Sequence, residues 1–303
     1  MNLSNRLPVW LNELYPFTPR MFTTPRGAGM SYLDEGPRTS EAVLMLHGNP
    51  TWSFYYRELV QALSPNQRCV VPDHIGMGLS EKPGNYAYTL ENRISDVEAL
   101  VANLGLNRVH LVVHDWGGAI GFGFAARHPH LVGRIVILNT AAFRSTHIPA
   151  RIQLCKAPFV GPIVVRGLNG FAWPATWMAM HRRSLTAKEK RALLFPYNSW
   201  KNRIAVSAFV QDIPLHSEHP SWKALTTVEE GVEQFRNRPT LILWGAKDFC
   251  FNEHFLVRWR ELLPQAEVQR FDDAGHYVLA DAREQVVPRA VEFLKQPYRG
   301  LTP

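Results

Sequence analysis

The sequence predicts an α/β protein built on a mostly parallel, doubly wound sheet. Short apolar runs recur along the chain, each ends in a polar or glycine-containing turn, and helix-like stretches separate them. Continuous apolar runs of this length are how strands buried on both faces read, and intervening helices supply parallel crossovers. With 303 residues the chain suits one large domain or two smaller ones.

The elements follow in order. Glu41–Leu46 runs into His47-Gly48-Asn49-Pro50, Arg68–Pro72 into Asp73, and Val109–Val113 into His114-Asp115-Trp116-Gly117-Gly118. Arg134–Leu138 runs into Asn139, Thr240–Trp244 into Gly245, and Glu267–Phe271 into Asp272-Asp273-Ala274-Gly275-His276. From about Phe143 to about Leu215 the strand rhythm stops, and helix formers alternate with breakers in an aromatic, basic stretch. It reads as a helical cap spanning 143–215, laid over the strand ends, with residues 1–142 and 216–303 forming the core. Arg283–Lys295 reads as an amphipathic helix despite Pro288.

Composition excludes several classes. Apolar residues make up 46% and charged residues 19%, which rules out a disordered chain or a coiled coil. Lys and Arg outnumber Asp and Glu by 33 to 26, a net +7. No basic stripe with interleaved aromatics appears, so nucleic acid is not an expected partner. The first 22 residues mix Arg with Trp, Phe and Leu, a composition that suits peripheral contact with anionic lipid. No run approaches the ~20 apolar residues of a membrane span, and no secretory h-region is legible. Cys69, Cys155 and Cys250 are odd in number and far apart, as in a reducing compartment. A cytoplasmic protein is expected, peripheral to the inner membrane at most.

Ligands of doubly wound sheets sit at the carboxyl ends of the strands, so chemistry is sought just after each run. In Val112-Val113-His114-Asp115-Trp116-Gly117-Gly118 a strand meets a helix at a sharp turn flanked by small residues. Such a nucleophile elbow presents one side chain at the top of the sheet, and here that side chain is Asp115. A carboxylate is a competent nucleophile at electrophilic carbon; the structural alternative is that Asp115 caps the next helix. Asp248 and His276 each follow a later strand, in the order nucleophile, acid, histidine. In that arrangement Asp248 fixes the imidazole and His276 acts as base or charge stabiliser beside the nucleophile. Asn49, with the amides of its loop, and Trp116 are candidates to face developing negative charge. Phe171, Trp173, Trp177 and Phe209 are candidate walls of an apolar pocket, or else cap packing. No metal-ligand frame or nucleotide loop is found, and no cofactor is expected.

These residues resemble the haloalkane dehalogenase family of α/β-hydrolases. The matching stretches are HGNPTWSFYYR (47–57), PDHIGMGLSEKP (72–83), LVVHDWGGAIGFGFA (111–125), WGAKDFCF (244–251) and AGHYV (274–278). The resemblance implies Asp115 as nucleophile, Asp248 and His276 as its partners, and Asn49 with Trp116 as the pair that holds the leaving halide. Two stretches, DHIGMGLSEKP and FPYNSWKNRIAVSAFVQDIPL (195–215), resemble more closely the β-lactone decarboxylases of bacterial long-chain olefin biosynthesis. That resemblance implies a lyase turning cis-3,4-dialkyl β-lactones into cis-alkenes and carbon dioxide. It also implies a long-chain hydrophobic substrate and an assembly with the β-lactone synthetase and other olefin-pathway enzymes. The alternatives are a haloalkane dehalogenase, an epoxide hydrolase, for which the cap offers only Tyr197, and a non-catalytic receptor or scaffold of the same fold.

Overall fold

A computed structural model describes residues 7–296. The chain opens with a turn of helix, α1 (Val9–Asn12), and an edge hairpin, β1 (Arg20–Thr23) and β2 (Gly29–Glu35). Then come β3 (Glu41–Leu46), α2 (Arg57–Leu63), β4 (Cys69–Pro72), α3 (Leu90–Asn103), β5 (Arg108–Asp115), α4 (Trp116–Arg127) and β6 (Val132–Thr140). The following strand, β7, begins only at Thr240 and ends at Gly245. Between them lie α5 (Ala150–Lys156), α6 (Val160–Pro162), α7 (Ala172–Met178), α8 (Ala187–Leu194), α9 (Ile204–Gln211) and α10 (Trp222–Gly231). The chain closes with α11 (Glu253–Leu262), β8 (Glu267–Phe271), α12 (Val278–Asp281) and α13 (Arg283–Lys295).

The strands form one sheet in the order β1-β2-β4-β3-β5-β6-β7-β8. Pairing is antiparallel at β1/β2 and β2/β4 and parallel from there to β8. The six expected strands are all present, so the doubly wound architecture stands. The edge hairpin was not foreseen. Its strand β1 is mostly exposed and β2 interleaves Ser31 and Asp34 with apolar residues, so neither has the continuous apolar character used to find the others.

Local chemistry explains the helices that matter to the site. Helix α4 reads WGGAIGFGFAAR, and Gly117 to Ala125 are all buried, as suits a helix at the centre of the sheet. Two of its glycines permit that depth. A Cβ on Gly117 would lie 1.9 Å from the Leu46 carbonyl oxygen, and one on Gly118 would lie 2.0 Å from Thr140 Oγ1. Helix α8 starts with a capping box, in which Thr186 and Glu189 each satisfy the other's backbone amide. Buried Glu189 also takes Arg57 of α2 and Arg183, which fastens this helix to the core. Pro288 sits within α13, whose Val286, Ala290, Phe293 and Leu294 face inward.

The N-terminal stretch does not form a free apolar arm over its described part. Leu11 and Tyr15 are fully buried, and Trp10 meets the Phe195 ring edge-on at 6.0 Å with Arg191 over its face. Residues 1–6 lie outside the described residues. Among the described residues no helix is long and apolar enough to cross a membrane.

Candidate active site

Asp115 ends β5 with φ +50° and ψ −125°, a conformation that costs a non-glycine residue of order 1–3 kcal/mol. Its side chain makes none of the usual N-cap bonds to the second or third amide of α4, so it does not serve as a helix cap in the ordinary sense. The turn is held by the Thr140 hydroxyl, which donates to the Asp115 carbonyl. Asp115 Oδ1 accepts the Asn49 backbone N–H at 2.7 Å, and the Trp116 N–H also supports the carboxylate. Gly48 makes the approach possible, since a Cβ there would lie 2.1 Å from Asp115 Oδ1.

The other oxygen, Asp115 Oδ2, lies 3.6 Å from His276 Nε2. His276 Nδ1 donates to Asp248 Oδ2 at 2.7 Å, and Asp248 Oδ1 accepts the Cys250 N–H at 2.6 Å. All three side chains are buried. The region after β6 carries no carboxylate. There Asn139 clasps Gly245 through both amide atoms, at 3.0 and 2.8 Å, and so fixes the root of the loop that carries Asp248. Burial is the largest influence on His276 and opposes its charge. The bonded Asp248 and then Asp115 outweigh it, so the imidazolium persists above its ordinary range. Burial raises the Asp115 carboxyl, and His276 and the two amides pull it back.

Several supporting groups were not singled out from the sequence as functional residues. His114, inside the elbow, donates from Nε2 to the His276 carbonyl at 2.9 Å. Its ring is sandwiched between Tyr55, at 4.4 Å, and His276, at 4.6 Å. Burial drives its pKa well down, so it stays neutral. Buried Asp281 accepts the amides of Gly275, His181, Arg182 and Arg183, tying the His276 loop to the cap segment between α7 and α8. Asp73 accepts the Ser53 and Leu79 amides and joins two of the quoted motif stretches. The signal for these residues was a polar side chain within an apolar run, but nothing local said what it would face.

Two apolar chambers, of about 130 and 270 Å³, meet at Asp115. They share Asn49, Asp115, Ile152, Phe171 and Cys250. Trp116, Ala119, Phe143, Val210 and Leu225 belong to the first alone. Arg151, Trp177, Met178, His276 and Tyr277 belong to the second alone. Phe171 therefore stands at the junction, and Trp177 at the rim of the second chamber. Trp173 and Phe209 are corrections. Trp173 is 57% exposed and lines neither chamber. Phe209 is buried behind Trp116, edge-to-face with it at 5.4 Å and covered by the Arg93 guanidinium at 3.6 Å. Asn49 Nδ2 donates to the Val206 carbonyl, leaving one amide hydrogen for the cavity. Tyr197 is buried and engaged with the Thr51 carbonyl, outside either chamber, which removes the only cap tyrosine from the epoxide-hydrolase reading. Among the described residues no group of three His, Cys, Asp or Glu could hold a metal.

Residues 41–282 match the model of the alpha/beta hydrolase fold family, and the chain belongs to that family. A protein of Shewanella oneidensis named cis-3-alkyl-4-alkyloxetan-2-one decarboxylase is 44% identical, with 94% of this chain and 91% of that protein covered. Its namesake in Xanthomonas campestris pv. campestris is 45% identical over 93% and 97%. Haloalkane dehalogenase 2 of Mycobacterium tuberculosis is 28% identical over 92% and 96%. The crystal structure of haloalkane dehalogenase DbeA from Bradyrhizobium elkani superposes with a TM-score of 0.80 at 24% identity, covering 91% and 96%, which speaks to the fold.

Proposed function

We propose that this protein is a lyase that decarboxylates cis-3-alkyl-4-alkyloxetan-2-ones, with Asp115 as the nucleophile. The observation that carries the reading is a buried carboxylate at the meeting point of two apolar chambers. A β-lactone with alkyl groups on adjacent ring carbons needs one reactive group and two greasy arms. The two oxetanone decarboxylases similar across nearly the whole chain favour this substrate over a haloalkane.

Asp115 Oδ2 attacks C4 of the lactone, and the C4–O bond breaks as the new ester bond forms. The freed C3 carboxylate rests against the second Asn49 amide hydrogen and the Trp116 indole N–H, where a dehalogenase would hold halide. The C3–carboxyl bond then breaks, its electron pair forms the C3–C4 double bond, and Asp115 leaves as carboxylate. Carbon dioxide and alkene are the products, and no water or net proton is consumed. Inversion on attack followed by anti elimination keeps the cis geometry. The imidazolium of His276, held by Asp248, stabilises the departing Asp115 carboxylate. Attack at the lactone carbonyl is the competing route and would pass through an acyl-enzyme. The resemblance further implies hand-over of the lactone within an assembly that includes the enzyme that makes it.

The test is incubation with a synthetic cis-3,4-dialkyl β-lactone and gas chromatography of the extract. Boiled protein and Asp115→Ala are the controls, because β-lactones also lose carbon dioxide thermally. A cis-alkene that requires Asp115 is the expected result. Recovered lactone or free β-hydroxy acid overturns the reading, and a haloalkane panel then follows.

A further inference from the structure

Eight of the eleven large hydrophobic residues exposed among the described residues fall between 154 and 200, within the cap. Phe159 is 88% and Leu168 75% exposed, and Leu154, Ile163, Trp173 and Trp200 also face solvent. The segment is continuous. Helices α5 and α6 run directly into a wide turn at 163–167, and Trp200 packs over that turn beside Arg166. Phe159 is held at φ +62°, a strained backbone for a bulky residue, and what the strain presents is an aromatic ring to water.

The charge on the same surface is one-sided. Residues 143–188 contain seven Lys and Arg and no Asp or Glu. Four of the seven are paired with carboxylates from elsewhere: Arg144 with Glu229, Arg182 with Asp273, Arg183 with Glu189 and Lys188 with Glu13. The other three, Arg151, Lys156 and Arg166, stand on the stretch that carries the exposed apolar groups. Among the described residues no carboxylate pairs with any of them. Arg166 instead lies over the Trp200 ring at 4.4 Å, and Arg151 over that of Phe249 at 4.7 Å. The surface also reaches the cavity, because exposed Arg151 and Trp177 form part of the second chamber's wall.

We propose that this face of the cap docks on an anionic lipid surface and places the mouth of the second chamber against it. Protruding aromatic and aliphatic side chains, with Arg151 and Arg166 among them free of carboxylate partners and Lys156 turned onto the Gln211 carbonyl, match the chemistry of a headgroup layer. A second copy of the chain fits poorly, since facing copies would oppose like charges over a desolvated interface. A substrate with two alkyl chains would partition into such a membrane, and the docked cap would receive it without passage through water.

The test is flotation of the full chain with vesicles of phosphatidylglycerol and phosphatidylethanolamine, against vesicles of phosphatidylcholine. Binding to the anionic vesicles is expected, with release at about 1 M salt, where the Debye length is about 3 Å. Phe159→Ser with Leu168→Ser should weaken binding about tenfold or more. Lys201→Glu, an exposed change beside Trp200, should weaken it by about tenfold through charge alone. Neither variant touches the chambers, so turnover of a short, water-soluble β-lactone should be unchanged. Protein that stays with the supernatant, or variants that float like the parent, would overturn the proposal. So would a dimer in gel filtration that the paired serine variant dissolves, which would assign the face to contact between copies. Flotation makes no use of turnover, so failure of the decarboxylase reading would leave this result standing on its own.

Discussion

At the carboxyl edge of the sheet, each catalytic candidate is held by a hydrogen bond that uses a backbone group on one side or the other. Asn49 N–H binds Asp115, Cys250 N–H binds Asp248, and His114 binds the His276 carbonyl. Opposite them, residues 150–178 of the cap make a wall of short helices joined by a wide turn and two residues, Phe159 and Asn169, at positive φ. One wall is over-determined and the other irregular. The sheet edge can fix a reacting geometry to fractions of an ångström. The cap can change the shape of the chambers and the outer surface at little cost to that geometry. Substitutions on the two walls should therefore fail in different ways.

The largest effect is expected at the nucleophile. Asp115→Asn should lower turnover of the lactone by about 10⁴-fold or more while lactone binding, followed by tryptophan fluorescence, survives. Binding lost together with turnover would instead give Asp115 a structural role, and turnover retained would remove Asp115 from the role of nucleophile.

The next is Asp248→Asn, with an expected loss of about 10³-fold and a changed pH profile. In the parent, the alkaline limb of kcat/KM should lie above the ordinary histidine value, because Asp248 and Asp115 hold the His276 proton against burial. The imidazolium is present below that limb and lost as pH rises through it. Without Asp248, burial prevails and the limb moves down. The acid limb, from protonation of Asp115, should lie above the ordinary carboxyl value and remain. An alkaline limb that does not move would separate His276 from the profile.

Gly48→Ala tests the sheet edge without altering a functional group. The new methyl would displace the Asp115 carboxylate, and a shift of about 1 Å costs about 10²-fold in rate. A melting temperature close to the parent's with that loss of rate would mark the defect as positional.

Away from the sheet edge the effects should be smaller and selective. Leu225→Trp narrows only the first chamber. It should raise KM about tenfold for lactones long on one ring carbon and leave those long on the other unaffected. Equal effects on both would join the two chambers into one undivided pocket. Thr186→Ala removes the capping box of α8 and should cost about 1 kcal/mol of stability with kcat/KM unchanged.

The same contrast explains what could be read from the residues. Strand ends could be found because a buried parallel strand is apolar throughout and stops abruptly. Hence Asp115, Asp248 and His276 could be singled out as candidates before any coordinates. The cap could not be read side chain by side chain. Trp173 and Trp177 lie four apart on one helix, both more than half exposed, yet only Trp177 lines a chamber, as its rim. Phe209 shares their composition and lies on the far side of Trp116. In so irregular a segment no periodicity tells the inner face from the outer. Asp281 and His114 were hidden for another reason. Their value lies in amides and carbonyls brought from distant parts of the chain, which no local pattern records.

The carboxylate of Asp281 has a mechanical consequence. It binds Gly275, one residue before His276, and the three consecutive amides 181–183 where the chain leaves α7. The Tyr277 amide adds a bond to the Ala179 carbonyl in the same place. This side of the cap is a jamb to which the catalytic histidine is nailed. A door hung here could not swing without carrying His276 away from Asp115. Any gap that admits a long-chain substrate must therefore open away from this side, while the jamb keeps the histidine in place for the next turnover.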